Sequence, residues 1–177
     1  DVSAPLTSAA VFLVLSVPPA DAAAATVRSV LGSVPDLVKT VSFRDLSANL
    51  SCRVGIGAQV WPRIVTGAPP KELHPFAEIR GDHHTAVSTP GDLLLHIVAN
   101  RRDLCFELER ILLDQFGDAV TVVDETVGFR YFDARDLLGF VDGTANPVGP
   151  DLMASAVVGE EDPDHRGGSY VVTQKYL

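Results

Sequence analysis

The run Ala10-Val11-Phe12-Leu13-Val14-Leu15-Ser16-Val17, closed by Pro18-Pro19, constrains this chain most. Its apolar side chains fall at odd and even positions alike, and much of it is β-branched or bulky. That is the pattern of a central strand buried on both faces, and the two prolines stop it. The run is too short to span a bilayer and has no basic flank before it, so it is not read as a membrane segment.

Periodicity then fixes what accompanies this strand. Asp21 is placed to cap a helix over residues 22–31, where Val27, Val30, Leu31 and Val34 form one stripe. Pro35 is expected to restart or kink it, with Leu37, Val38 and Val41 continuing the apolar side. Residues 50–56 alternate at period two as a second strand. The proline-rich stretch 57–92 reads as loop, with a helical turn near 59–65.

Residues 93–98 form a third strand, interrupted in its apolar character only by His96. Asn100 and Asp103 resemble a capping box for a helix carrying Leu104, Leu108, Ile111 and Leu112, which Gly117 is placed to end. A fourth strand covers 120–127. The order strand, helix, strand, strand, helix, strand is that of the split βαβ, ferredoxin-like fold: an α+β unit with both helices on one face of an antiparallel sheet. Its other face is also fairly apolar and calls for a cover.

We therefore divide the chain into a first ferredoxin-like unit, 1–128, and a segment 129–177 that begins a second unit. In the latter, 153–158 reads as a short extended piece, 159–168 as a solvated acidic loop, and 169–176 as a strand.

The net charge of −9, without a dense basic stripe, argues against nucleic acid or an anionic membrane as partner, since both demand clustered Lys and Arg. Cys52 and Cys105 lack CxxC spacing and read as buried free thiols, which favours a reducing compartment.

The stretch Leu137-Leu138-Gly139-Phe140-Val141-Asp142-Gly143-Thr144-Ala145-Asn146-Pro147 places one carboxylate between glycines, after an apolar run. By composition alone Asp142-Gly143 is a turn. It also matches the GxxDG signature of dye-decolourising peroxidases. Further segments resemble that family in the same order: Glu72-Leu73-His74-Pro75-Phe76, Thr89-Pro90-Gly91-Asp92-Leu93, residues 119–125, Phe132-Asp133-Ala134-Arg135-Asp136-Leu137-Leu138 and residues 170–176.

The resemblance implies a haem b enzyme of the cytoplasm that reduces hydrogen peroxide while oxidising dyes, phenolic compounds or another reducing organic substrate. Asp142 matches the distal acid-base residue, which moves a proton from the inner to the outer peroxide oxygen. Phe140 and Val141 are then expected in apolar contact with the haem, and Gly143, Thr144 and Asn146 beside it. The family's homo-oligomeric habit implies self-association. Some members are cargo of bacterial shells, which implies an encapsulin as partner.

Two features depart from the family. Ala145 stands where many relatives have Glu. The axial His and distal Arg lie downstream of the segment matching 169–176, so no metal ligand is expected within this chain, and the axial His is expected beyond Leu177. On that ground the chain alone is expected to lack haem peroxidase activity.

The histidines present have ordinary readings. His74 precedes Pro75 at a family position that is not the ligand, His83-His84 cannot face one metal in the i, i+4 manner, His96 sits in a strand, and His165 in a polar loop. Arg135 and Asp136 are read as an ion pair holding the motif loop. The rival reading is a non-catalytic binding or oligomer-assembly module using the apolar sheet face.

Overall fold

A computed structural model describes residues 4–175. Its main sheet has four strands: β1 (Ala9–Ser16), β2 (Ser51–Ile56), β5 (Leu93–Ala99) and β6 (Thr121–Phe129), in the order β2-β5-β1-β6. Every neighbouring pair is antiparallel, with Leu13 opposite Leu95 on one side and Glu125 on the other. Helices α1 (Asp21–Ser42) and α3 (Arg102–Phe116) are the crossovers, and the α+β ferredoxin-like arrangement expected from the order of elements is the one observed.

The core forms where both helices meet one sheet face. Val11, Leu13 and Leu15 of β1 and Leu93, Leu95 and Ile97 of β5 lie with Val27, Val30 and Val34 of α1 and Leu104, Leu108 and Leu112 of α3 in one buried cluster. Burying one such side chain contributes about 1.5–3 kcal/mol, which is why the two central strands tolerate no polar residue on that face. The opposite face presents Ala10, Phe12, Val14, Leu94 and His96, all half-buried. There His96 stacks on Phe12 with ring centroids 4.3 Å apart, and burial holds its imidazole below its usual pKa, with Arg53 adding to the shift.

Several expectations are corrected. Pro35 neither ends nor restarts α1, which continues through it to Ser42. The stripe Val27, Val30, Val34 and Val41 stays buried on both sides of the proline, so tertiary packing outweighs the lost hydrogen bond. Asp21 lies in the first turn, after the cap residue Ala20, where its charge complements the helix dipole.

The capping box of α3 is absent as well. Its cap residue, Arg101, makes no side-chain cap bond, and Asp103 instead pairs with the Arg101 guanidinium at 2.5 Å. Gly117 does end the helix, at φ +49°. Within 57–92 the chain forms α2 (Trp61–Ile64) and a small hairpin of β3 (Ile79–Arg80) with β4 (Thr85–Ala86).

Beyond β6 the expected extended piece is instead helix α4 (Pro150–Ala156), since Pro150 at its first position and Gly149 at φ +58° start a helix where a strand pattern was read. The expected strand 169–176 is not a strand in its described part, 169–175. A β-pattern needs a neighbouring strand to receive its hydrogen bonds, and none lies beside it among the described residues. Tyr176 lies outside them.

Candidate functional site

After β6 the chain passes through Tyr131 and a turn in which Asp133 and Ala134 take positive φ, then doubles back on itself. Arg135 and Val141 form an isolated antiparallel bridge, and the intervening residues make a tight loop. Asp136 N–H donates to Phe140 O at 2.9 Å, and Gly139 N–H to Asp136 O at 3.0 Å. The Asp136 carboxylate accepts the N–H groups of Leu138 at 2.9 Å and Phe140 at 2.8 Å on the same oxygen, Oδ1. Arg135 Nη1 donates to Gly139 O at 2.9 Å.

The expected Arg135–Asp136 ion pair is therefore replaced. Each charged group turns to the loop's backbone, where an amide or carbonyl that would otherwise lack a protein partner gains a charge-assisted bond. Gly139 turns the chain at φ +96°, and a Cβ built there would meet nothing within 4 Å. The backbone of the loop is thus open on that side.

Asp142 follows the bridge directly. It is exposed, and its carboxylate accepts no hydrogen bond from the described residues. Gly143, at φ +76°, begins a turn in which Asn146 N–H donates to Gly143 O at 3.1 Å. The Asn146 amide lies against Gly143, 3.0 Å from where a Cβ would stand. Thr144 is exposed beside them.

Around the carboxylate the surface is apolar: Phe140 is 68% exposed and Val141 50%, with Leu137, Leu138 and Val148 exposed to a similar or greater degree. The structure thus brings Phe140, Val141, Asp142, Gly143, Thr144 and Asn146 into one open loop system. The histidines lie elsewhere. His74 Nδ1 donates to Pro75 O at 2.8 Å, and His96 is in the sheet.

What the sequence did not reveal is how the later segment is anchored. The stretch read as a solvated acidic loop docks on the first unit. Asp162 is 5% exposed and accepts the Lys71 N–H, while Lys71 Nζ donates to Glu161 O. His165 sets its ring edge-on to Trp61 at 5.5 Å and donates to Ala68 O, and Tyr170 Oη accepts the Glu72 N–H.

Comparison with known proteins identifies the family. The family pattern "Dyp-type peroxidase, N-terminal" matches residues 1–130, and "Dyp-type peroxidase, C-terminal" matches 133–177. The dye-decolorizing peroxidase of Mycobacterium tuberculosis is 52% identical over 174 residues, which cover 98% of this chain and 51% of that protein. A Rhodococcus jostii RHA1 DypB variant in complex with heme superposes with a TM-score of 0.89 at 53% identity, over 92% of this chain and 53% of that one. The encapsulated DyP-type peroxidase from Mycobacterium smegmatis does so at 0.88 and 49% identity, over 93% of this chain and 52% of that one. The chain spans about half the length of the curated relatives it matches. The chain belongs to the Dyp-type peroxidase family.

Proposed function

We propose that this chain contributes one wall of a haem b site in a peroxidase that reduces hydrogen peroxide and oxidises dyes, phenolic compounds or a similar organic donor. The observation that carries this reading is the Asp142 carboxylate, exposed and without a hydrogen-bond partner among the described residues, on a loop that also exposes the apolar Leu137, Leu138, Phe140 and Val141. The residues present fit one face of a flat macrocycle. Gly139 leaves its backbone open, and Phe140 and Val141 offer apolar contact surface.

When bound, the haem supplies the iron centre at which peroxide is reduced. Asp142 takes the proton from the inner oxygen of the arriving peroxide and returns it to the outer one, so that water can leave. Gly143, Thr144 and Asn146 shape the pocket beside it, the Asn146 side chain being already packed on Gly143. Among the described residues His74 is bonded to Pro75 O, His96 is stacked on Phe12, and His165 is bonded to Ala68 O.

The same reading divides the chain at 128/129, one residue before the end of β6. Exposed Phe129, Phe132, Leu137 and Leu138 support burial against further protein, including other subunits. The encapsulated relative from M. smegmatis supports an encapsulin shell as a partner and, with two free cysteines, a cytoplasmic setting. No helix among the described residues is long and apolar enough to cross a membrane.

The test is Asp142→Ala in the complete haem-loaded protein, mixed rapidly with hydrogen peroxide. The peroxide step is expected to slow roughly 10²–10⁴-fold. An unchanged step with altered subunit association supports the assembly-module reading instead.

A further inference from the structure

We infer that Asp136 is a positioning residue for Asp142, fixing the loop that carries the acid-base carboxylate; this rests on the reading of Asp142 given above. The loop between Arg135 and Val141 has almost no hydrophobic anchorage, for Leu137 is 75% exposed and Leu138 84%. What holds it is polar. Asp136 contributes three groups: its N–H to Phe140 O, its carbonyl to Gly139 N–H, and Oδ1 to the N–H groups of both Leu138 and Phe140. Arg135 closes the far side through Gly139 O.

The backbone bonds remain whatever the side chain, but the Oδ1 pair does not. One oxygen holding two amides two residues apart fixes the loop's curvature and brings Phe140 to the point where Val141 pairs with Arg135. Asp142 is the next residue. Its own side chain makes no hydrogen bond or ion pair among the described residues, so its position is inherited from the backbone before it. Loss of the Asp136 acceptor frees the Leu138 and Phe140 amides and lets the Asp142 carboxylate wander from the reacting atoms. Misplacement on the order of 1 Å costs roughly a hundredfold in rate.

The experiment compares Asp136→Ala, Asp136→Asn, Asp142→Ala and the Asp136→Ala/Asp142→Ala double variant in the complete haem-loaded protein. Peroxide-step rates are read alongside hydrogen exchange at the Leu138 and Phe140 amides. Asp136→Ala is expected to slow the step roughly ten- to a hundredfold at unchanged haem content and to speed exchange at both amides. Asp136→Asn restores most of both, because its amide oxygen accepts the same two bonds. In the Asp142→Ala background Asp136→Ala produces no further loss of rate.

A wild-type rate for Asp136→Ala overturns the inference even if the amides exchange faster. So does a further tenfold loss in the double variant, which would mean that Asp136 acts other than through Asp142. A wild-type rate for Asp142→Ala, with both amides still released in Asp136→Ala, overturns the acid-base reading and leaves Asp136 as a loop clamp only.

Discussion

Asp162 Oδ2 accepts the Lys71 N–H at 2.9 Å across 91 residues of sequence. With His165 on Ala68 and Tyr170 on the Glu72 amide, it ties the segment after α4 to the loop after α2. Asp162→Ala strands the Lys71 amide and is expected to cost about 1–3 kcal/mol. Denaturant unfolding measures the loss, and limited proteolysis should show cleavage first within 159–170. Asp164→Ala, on an exposed neighbour, should leave both unchanged.

Gly143→Ala forces a side chain into φ +76°, at a strain of about 1–2 kcal/mol, and pushes the Asn146 amide from its present place. Gly139→Ala imposes similar strain at φ +96° but meets nothing. Thermal melting should therefore show comparable losses for the two. Only Gly143→Ala should shift the Asn146 side-chain amide resonances.

Burial pushes the Glu109 carboxyl above its ordinary value of 4.5, and the neighbouring Glu125 charge adds to the shift. Glu109 is 6% exposed, and its Oε1 has no partner. A carboxyl raised in the folded state holds its proton there longer than in the unfolded chain. Stability therefore falls as pH rises from about 4.5 through the raised value, and stays lower above it. Glu109→Gln should raise the melting temperature at pH 7, change it little at pH 4, and flatten the decline between. The carboxylates shifted downward, such as Asp45 by Ser47 and then Arg101, Asp103 by Arg101 and Glu107 by Arg110, lie at the surface and add only weak slopes of the opposite sign.

Burial also raises both thiols, Cys52 to about 12 and Cys105 to about 11. Little thiolate forms at pH 8, so an aromatic disulfide reagent should react slowly with the native protein and label both residues once urea unfolds it. Rapid native labelling of Cys105, which is fully buried, would contradict the packing of α3 against the sheet.

The four long strands and two long helices were legible because each buries a face. A stripe at Val27, Val30 and Val34, or a two-sided apolar run like that of β1, satisfies only one kind of element, and their order then admits few topologies. The proposed role of Asp142 rests on resemblance alone. Within its own neighbourhood it is one more Asp-Gly turn, and nothing in its spacing distinguishes an acid-base group from a loop residue.

Pairings between distant residues were beyond sequence reasoning, and so was the choice among local hydrogen-bond partners. Arg135 and Asp136 looked like an ion pair, yet the backbone offered each a better partner once the loop closed. Pro35 was expected to restart or kink the helix, and burial on both sides of it favoured continuation over a restart. The acidic stretch looked solvated, yet the Lys71 backbone N–H donates to a buried Asp162 within it. Residues 169–176 looked like a strand, but the described part, 169–175, has no neighbouring strand to bond among the described residues. Hydrophobic periodicity is written along the chain and acts through a single element, so the sequence by itself determined the ferredoxin-like frame. Satisfaction of polar groups depends on which atoms arrive together in space, and that only the tertiary structure decided.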